Sequence, residues 1–294
     1  MDRSRRADAG EAKAVGLVVH GGRAEAIRAA RHAADLLLEE GIDVVGCADD
    51  GWTHKGVDFR AGSAFGEGID VVLSMGGDGT FLRAAYLARD CRAPLLGVNL
   101  GRVGFLSEVE ASDLDTAVQS VVIGAYDIEE RMTLTVQVRD AGGALAAASW
   151  ALNEASIERT VPQRLVVFEV RVGEVAFAHL PADAVICATP TGSTAYAFSA
   201  GGPILSPRVD AILLVPVAPH SLFSRTLVVD PRETLSVRCC GGSNSCVVTC
   251  DGRQTLSVPP GGWVQVGRGE QPVRLVRLRP FDFYERVRDK FGLQ

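Results

Sequence analysis

The sequence predicts an α/β N-terminal domain with a parallel sheet and helices, followed by a β-rich, sandwich-like C-terminal domain. Strand-like and helix-like segments alternate repeatedly up to about residue 100, which is typical of a parallel sheet covered by helices. From about Tyr126 onward, short β-type runs dominate and helical patterns are rare. Residues 281–291 are helical again, and we expect this C-terminal helix to return to the first domain.

These changes of pattern predict four regions. Residues 1–14 are polar and charged, and we expect a disordered tail there. Residues 15–125 form the α/β domain, residues 126–275 the β-rich domain, and residues 276–294 a C-terminal segment that packs back on the first domain. Each of the two domains is long enough for a hydrophobic core of its own.

Hydrophobic periodicity places the elements of the first domain. The predicted strands are 15–20, 43–47, 71–73 and 95–98, and the predicted helices are 24–40, 80–89 and 112–123. The glycine-containing stretch 48–68 is irregular and predicts a loop. Because the carboxyl ends of parallel strands meet at one edge of a sheet, the loops that follow these strands should hold the ligand.

The second domain is a series of β-type runs. The predicted strands are 132–139, 144–156, 165–172, 184–187, 211–215, 235–240, 246–250 and 264–266. The residues Asp251, Gly252 and Arg253 predict a hairpin turn between residues 247–250 and 255–258.

Composition argues against several classes of protein. The net charge is −6 and the pI is about 5.5, so we expect no nucleic-acid partner held through phosphates. No apolar run reaches the ~18 residues of a membrane span, and residues 1–14 lack the apolar stretch of a signal peptide, so we expect a cytoplasmic protein. The seven cysteines should be reduced thiols. Cys239, Cys240, Cys246 and Cys250 suggest zinc only weakly, because they lack paired C-x-x-C spacing.

The loop between residues 76 and 80 combines three glycines with one acid, Asp78. The glycines let the backbone approach a bulky anion, and the helix that follows offers free N–H groups to phosphate oxygens. A carboxylate in such a cradle is suited to accept a proton or to hold a metal beside the phosphate. The alternative is a tight turn in which Asp78 caps the helix. Residues 99–106 follow the next strand, where an exposed Phe105 could form a pocket wall or the segment could be a simple connector.

Three stretches of the second domain are candidates for ligand binding. Asn153 and Glu154 interrupt an apolar run, and an amide beside a carboxylate can bind vicinal ribose hydroxyls or simply face water at a strand edge. Residues 189–203 fill a strand-to-helix junction with hydroxyls, small residues and glycines, which suits a planar ligand; helix capping by Ser193 or Thr194 is the alternative. Asp183 lies just before the strand that leads into this junction, at a pocket rim or in a turn.

Together these stretches resemble the NAD kinase family. The resemblance rests on residues 76–80, 99–106, 153–154, 219–222 and 251–252, and above all on residues 189–203. It spans scattered blocks between about residues 71 and 253. The sequence departs from the family at Ala184, where a glycine usually follows the aspartate, and it matches poorly at residues 159–171.

The resemblance implies transfer of a phosphoryl group to the 2′-hydroxyl of the adenosine ribose of NAD, giving NADP. Asp78 would be the general base, with Gly79 leaving room for the substrate, while Asn153 and Glu154 would hold adenosine. The base and ribose would be lined by Thr194, Ala195, Tyr196, Ala197, Phe198 and Ser199. Asp183 would meet the nicotinamide end. Candidate partners for phosphate or carbonyl oxygens are Arg83, Arg164 and Arg253.

The same resemblance implies ATP or polyphosphate as donor and a homodimer or homotetramer as the assembly. A divalent metal, most simply Mg²⁺, would be bound with the donor phosphates rather than by a set of protein ligands. Two alternatives stay open on the sequence. A lipid or diacylglycerol-type kinase shares the first glycine-rich loop, and a non-catalytic NAD(P)-sensing protein could share the binding stretches.

Overall fold

The computed structural model describes residues 4–5, 11–101, 104–160, 166–222, 224–240 and 246–293, with residues 4–5 described as backbone only. The chain forms two compact units. The first comprises Met1–Glu130 and Val273–Gln294, and the second comprises Arg131–Pro272. Within the described ranges, no helix is long and apolar enough to cross a membrane.

The described strands and helices are as follows. In chain order the strands are β1 Ser4–Arg5, β2 Ala14–Val19, β3 Asp43–Cys47, β4 Val57–Arg60, β5 Val71–Gly76, β6 Leu95–Asn99, β7 Val109–Glu110, β8 Asp127–Arg131, β9 Leu134–Arg139, β10 Leu145–Ala151, β11 Glu154–Arg159, β12 Val166–Val172, β13 Val175–Ala182, β14 Ala184–Ala188, β15 Ile212–Val217, β16 Leu227–Val229, β17 Leu235–Cys240, β18 Cys246–Cys250, β19 Gln254–Val258, β20 Trp263–Arg268 and β21 Val273–Arg277. The helices are α1 Ala24–Glu39, α2 Asp78–Leu87, α3 Leu114–Val122, α4 Tyr196–Ser199 and α5 Phe283–Phe291.

The first unit is built on a sheet of nine described strands. Their order is β1-β8-β21-β6-β5-β2-β3-β4, and β7 pairs with the end of β6. The pairs from β21 through β6, β5, β2 and β3 to β4 are parallel, whereas β1 runs antiparallel to β8. Helices α1 and α3 contribute apolar stripes to one core with the central strands. The predicted parallel α/β architecture is thus confirmed.

The second unit is a sandwich of two antiparallel sheets, each of six described strands. The orders are β10-β9-β20-β17-β12-β13 and β16-β15-β14-β11-β18-β19. Side chains from both sheets, such as Val136, Ile157 and Val237, meet in one apolar core. The predicted β-rich, sandwich-like domain and the C-terminal helix are therefore also confirmed.

The stretch 48–68 is not simply the loop that the sequence predicts. It contains strand β4, which pairs with β3 at the edge of the sheet, and Phe59 in this strand lies edge-on to Trp52 with ring centroids 5.0 Å apart. The strand has only four residues, so its alternation of apolar and charged side chains is too short to be recognised in the sequence. At the other edge of the sheet, residues 4–5 of the predicted tail pair with β8.

The predicted strand 144–156 is in fact two strands in different sheets. Strand β10 ends at Ala151, the chain turns at Leu152 and Asn153, and β11 begins at Glu154 in the opposite sheet. The sequence runs apolar through this turn because the turn itself is buried, with Leu152 0% and Asn153 8% exposed. The pair Asn153 and Glu154 thus marks a crossing between sheets rather than a water-facing strand edge.

Candidate active site

A cleft of about 630 Å³ lies in the first unit at the carboxyl ends of three neighbouring parallel strands. The segment after β2 supplies His20–Arg23, the turn after β3 supplies Asp49–Gly51, and the loop after β5 supplies Gly77, Gly79, Thr80 and Arg83. Strands β5, β2 and β3 are adjacent in the sheet, so their following loops meet at one edge. This is the location that the sequence predicts for ligand loops.

Asp78 is the first residue of helix α2, and its carboxylate is held by backbone donors. Oδ2 accepts a hydrogen bond from the N–H of Phe105 at 3.0 Å, and Oδ1 accepts one from the N–H of Leu106 at 3.2 Å. A β-carbon at Gly104 would lie 2.1 Å from Oδ1, so only glycine lets this segment approach. The side chain is therefore fixed by the loop after β6 and is not capping its own helix.

Gly79 follows Asp78 on the open side of the helix start. It is exposed, and a β-carbon there would meet no atom within 4 Å. The same is true of the space beside Gly77. The two glycines thus leave free volume in the cleft beside the first turn of α2, where backbone N–H groups and the helix dipole favour an anion.

Arg83 lies one turn further along α2 and pairs with Asp50. Its guanidinium contacts the Asp50 carboxylate and donates to the carbonyl oxygen of Val19 at 2.9 Å. Oδ2 of Asp50 also accepts the N–H of Val19 at 2.5 Å. Burial raises the pKa of Asp50, against the opposing effects of the Val19 N–H and of Arg83. The Arg83 side chain remains 25% exposed and lines the cleft.

Phe105 does not form the exposed pocket wall that the sequence suggests. The side chain is buried, and its ring lies 6.4 Å from that of Phe283 and 6.3 Å from that of Phe291, both in α5. The sequence around Phe105 suggests an exposed side chain, because helix α5, which covers it, lies far away along the chain. Its contribution to the site is its backbone N–H, which holds Asp78.

In the second unit, the turn at residues 152–154 is fixed from two sides. The carboxylate of Asp251 accepts the N–H groups of Leu152 and Asn153 at 2.7 Å each and that of Glu154 at 3.1 Å. On the other side, the Thr189 hydroxyl donates to the Leu152 carbonyl at 2.6 Å, and the Thr189 N–H donates to the Asn153 carbonyl at 2.9 Å. This geometry leaves the turn almost no freedom.

Glu154 is a buried carboxyl group with one unused oxygen. The residue is 8% exposed, and the backbone N–H of Tyr196 donates to its carboxylate. Its Oε2 is buried and lacks a hydrogen-bond partner among the described residues. Burial, and then the nearby charge of Asp251, raise the pKa of Glu154 to about 8. A buried polar atom without a partner is costly, so this oxygen is a candidate contact for a ligand.

The junction after β14 exposes part of the predicted binding stretch. Tyr196, Phe198 and Ser199 are exposed on helix α4, and Thr194 and Ala195 are half-buried before it. Ala197 is different because its methyl group is fully buried in a small core with Ile186 and Leu213. Any role of Ala197 at a ligand site would therefore be carried by its backbone.

Two further predicted residues, Asp183 and Arg253, lie at the periphery of these features. The carboxylate of Asp183 is paired with the Arg159 guanidinium at 2.9 Å. Arg253 is exposed in the β18–β19 hairpin, which the structure forms as predicted, and its charge acts on Asp251. Arg164 lies outside the described residues.

A possible metal-ligating cluster occurs elsewhere in the second unit. Among the residues that the structure describes, Glu169, His179 and Cys240 place their ligand atoms within 4.8 Å of one another. Glu169 is, however, already paired with the guanidinium of Arg238. The seven cysteines are free, with Cys246 and Cys250 buried and Cys239 and Cys240 half-buried. The four-cysteine group is thus part of the strands and their packing.

Family models match both units of the chain. The model of the ATP-NAD kinase N-terminal domain matches residues 15–126, and that of the ATP-NAD kinase C-terminal domain matches residues 152–278. The chain belongs to the NAD kinase family. The two matched ranges of this family contain Asp78 in the first and Asn153, Glu154 and Asp251 in the second.

Relatives in the NAD kinase family align over most of the chain. An NAD kinase of Rhodococcus opacus is 45% identical over 297 residues, covering 94% of this chain and 92% of the relative. An NAD kinase of Nocardia farcinica is 42% identical over 295 residues, covering 94% and 90%. Similarity over nearly full length on both sides indicates the same domain content.

Solved structures of the family share the fold. A yeast NADH kinase complexed with NADH superimposes with a TM-score of 0.86 at 22% identity, covering 97% of this chain and 88% of that one. An NAD kinase from Archaeoglobus fulgidus in complex with ATP gives a TM-score of 0.70 at 24% identity, covering 95% and 96%. At these identities the likeness shows the fold.

Sequence reasoning missed the contacts of two carboxylates in this NAD kinase family member, Asp50 in the first unit and Asp251 in the second. In the sequence, Asp50 has the features of an ordinary turn residue. Asp251 has those of a hairpin residue, and the structure does place it in a hairpin. Their partners lie 31 or more residues away along the chain. Local pattern carries no signal for such pairs, although the largely apolar strand that ends at Cys250, just before Asp251, indicates that this acid is close to the core.

Proposed function

We propose that the chain is an NAD kinase that transfers a phosphoryl group to the 2′-hydroxyl of the adenosine ribose of NAD, giving NADP. Membership of the family supports this activity. The observation that carries the proposal is the carboxylate of Asp78, fixed by two backbone N–H groups at the start of α2 beside a glycine-lined cleft. A fixed carboxylate next to an anion-binding helix start suits transfer of a phosphoryl group to an alcohol.

Asp78 acts as the general base. As the ribose 2′-oxygen forms its bond to the γ-phosphorus of ATP, the bond from that phosphorus to the β,γ-bridging oxygen breaks and ADP leaves. The hydroxyl proton passes to a carboxylate oxygen of Asp78. The N–H groups of Phe105 and Leu106 fix the direction of the carboxylate. Positioning therefore contributes more than basicity, as expected for phosphoryl transfer.

The cleft holds the donor phosphates. The open volume beside Gly77 and Gly79 admits them to the first turn of α2. Arg83 offers its exposed edge to phosphate oxygens while Asp50 fixes the other side of its guanidinium. Arg164 and Arg253 remain proposed partners for phosphate or carbonyl oxygens.

A divalent metal, most simply Mg²⁺, accompanies the donor phosphates. The cleft offers the exposed carboxylate of Asp49, and oxygen is the ligand type that Mg²⁺ prefers. Within the described residues, the sole cluster of three potential metal ligands, that of Glu169, lies in the second unit, so the cleft has no protein cage. This donor set fits a metal held mainly by phosphates. Its chemistry there would be to neutralise charge on the transferred group.

The second unit binds the dinucleotide. Asn153 and Glu154 hold the adenosine ribose, and residues 194–199 line its base, with Tyr196 offering an aromatic face that is 39% exposed. Asp183 meets the nicotinamide end. The buried, unpartnered Oε2 of Glu154 supports a ligand at this position.

The activity is tested with purified protein, NAD, MgCl₂ and either ATP or polyphosphate, following NADP formation. Asp78→Asn should lower kcat by roughly 10²–10⁴-fold, because the general base is lost. Its thermal unfolding should change little, since Asn can still accept one of the two N–H groups. The matched control is Asp90→Asn, an exposed acid just beyond the same helix, which should retain full activity. Full turnover by Asp78→Asn would show that Asp78 is not the base.

The donor comparison decides between ATP and polyphosphate, and parallel assays address the alternatives. Phosphorylation of a diacylglycerol would favour a lipid kinase, and NAD binding without turnover would favour a sensor. We also propose a cytoplasmic homodimer or homotetramer. The exposed apolar side chains of Val175 and Phe177 on edge strand β13 support self-association. A monomeric mass by light scattering at assay concentration would refute it.

A further inference from the structure

Asp251 makes four hydrogen bonds to the turn at residues 152–154, in addition to its place in the β18–β19 hairpin. Its side chain accepts three consecutive backbone N–H groups, and its own N–H donates to the Glu154 carbonyl at 3.0 Å. Asp251 has φ +50° and is followed by Gly252 at φ +63°, the left-handed backbone of a tight hairpin. This hairpin conformation turns the carboxylate back onto the start of β11.

Asp251 and Glu154 form a close pair of carboxyl groups that differ in their hydrogen bonding. Burial raises the pKa of Asp251, but three N–H donors oppose that rise by stabilising its anion, whereas Glu154 receives one donor, the N–H of Tyr196. When two buried carboxyl groups share one proton, the proton resides on the group whose anion is less stabilised. Near neutral pH that group is Glu154, whose pKa is raised to about 8 by burial and by Asp251.

A protonated Glu154 needs an acceptor for its hydrogen. Its Oε2 is buried, and no described residue provides a hydrogen-bond partner for it. A buried O–H group without an acceptor destabilises the folded protein, because it loses the hydrogen bond that water would accept. A ligand that brings an acceptor oxygen or nitrogen to this point recovers that cost.

We propose that Asp251 is a positioning residue for the dinucleotide: it fixes the turn at residues 152–154 and keeps Glu154 as a proton donor to an uncharged acceptor of the bound adenosine. This inference rests on the proposed function, and it adds the direction of the hydrogen bond. The carboxyl of Glu154 donates to a ribose oxygen or ring nitrogen below its pKa and loses that bond above it.

Few other charged groups face this pair. Arg253 of the same hairpin partly offsets the charge of Asp251, and Tyr196 approaches from α4, itself under the influence of Glu158 and Asp183. Cys250 at the end of β18 is a neutral thiol, since burial raises its pKa to about 11. Strand β14 contributes only the apolar Ala188 opposite Glu154. Glu154 is therefore the group at this turn whose protonation is expected to change near pH 8.

The test is the pH dependence of NAD binding and of KM for NAD between pH 6 and pH 9.5. In the unaltered protein, KM should rise above about pH 8, by up to tenfold per pH unit. Asp251→Asn removes the neighbouring charge and at least one of the three N–H bonds, so KM should rise about tenfold at pH 7 and the midpoint should move to lower pH. The value of kcat should change by less than about threefold, because the base Asp78 is untouched.

A second variant covers the case in which Asp251→Asn does not fold. Glu154→Gln keeps a donor at every pH and leaves the bonds of Asp251 intact, so the rise of KM above pH 8 should disappear. The matched control is Asp140→Asn, a turn acid of the β9–β10 hairpin that accepts the Ala144 N–H, and its profile should match the unaltered protein.

The outcomes distinguish failure of the positioning role of Asp251 from failure of the proposed kinase activity. If the unaltered protein makes NADP but its KM profile is flat, or Asp251→Asn leaves both KM and the midpoint unchanged, the positioning role is wrong and the kinase activity stands. If the unaltered protein neither binds NAD by calorimetry nor forms NADP, both proposals are wrong.

Discussion

The guanidinium of Arg83 is paired with the carboxylate of Asp50, whose side chain is completely buried. The pair joins helix α2 to the turn after β3, and Asp50 also accepts the N–H of Val19 at the end of β2. Three of the loops that form the cleft are thus connected through one carboxylate. The two partners differ in exposure, because a quarter of the Arg83 side chain reaches solvent.

This difference predicts unequal costs for removing either partner. Arg83→Met leaves a buried anion without its cation and should cost about 3–5 kcal/mol of unfolding free energy, whereas Asp50→Asn leaves a cation that water can reach and should cost less. Urea denaturation measures both. The double variant should be more stable than Arg83→Met alone. Costs that simply add in the double variant would contradict the pairing.

Gly104→Ala should lower kcat without touching a substrate group. Its β-carbon would lie 2.1 Å from Oδ1 of Asp78, so either the carboxylate or the loop must move. We expect a loss of about 1–3 kcal/mol of stability from overpacking and a fall in NADP formation of at least tenfold. The control is Gly142→Ala, whose nearest contact would be 3.4 Å away. An active Gly104→Ala would mean that the position of Asp78 is not critical.

Gly79→Ala should affect donor binding but not folding. Its methyl group would project into open space beside the first turn of α2, and alanine is favoured over glycine in a helix by about 1 kcal/mol. The melting temperature should therefore stay the same or rise, while KM for ATP should rise about tenfold. An unchanged KM would place the donor phosphates elsewhere.

Stability should depend on pH through Glu154. The folded protein keeps the Glu154 proton up to about pH 8, whereas the unfolded chain releases it near 4.5. Between these values the unfolded state binds fewer protons, so the free energy of unfolding should fall as pH rises, by a total on the order of 5 kcal/mol at most. Glu154→Gln should flatten this slope in denaturation curves at pH 5, 7 and 9. Glu39→Gln, at an exposed acid ending α1, should keep the slope of the unaltered protein.

Tyr196→Ala should weaken NAD binding while leaving the chemical step intact. Loss of one aromatic face is worth about 1–1.5 kcal/mol, so KM for NAD should rise about tenfold with kcat nearly constant. The backbone N–H that Tyr196 gives to Glu154 is retained in the variant. Tyr284→Ala, an exposed tyrosine of α5, should leave both constants unchanged.

Local pattern predicted those elements whose hydrophobic pattern is clear within a short window of sequence. Helix α1 is predicted to within one residue because its alanine-rich stripe repeats over four turns, and β3, β17 and β18 agree with their predicted ranges. Strand β13 was missed because its exposed side chains and Pro181 mask the alternation. The glycines around Asp78 and the hydroxyls after Ala188 predict ligand contacts from composition alone, and these contacts stay a prediction.

The unpredicted parts depend on distant partners. Asp251 contacts residues about a hundred positions earlier, and Asp78 is held by donors 27 and 28 residues later. Both contacts exist only after the sheets have formed, so no window of neighbouring residues contains them. Phe105 was misjudged for the same reason, since the helix that covers it ends the chain.

Strand β21 lies inside the first sheet, between β8 and β6, although it is made after the whole second unit. During synthesis the first sheet therefore stays incomplete between β8 and β6 until residues 273–277 have been made and can pair there. The sandwich can mature first, as an autonomous insert. A nascent chain arrested before β21 emerges would expose the unpaired edges of β8 and β6. Chaperones, or strand β21 of another copy, could bind to these edges.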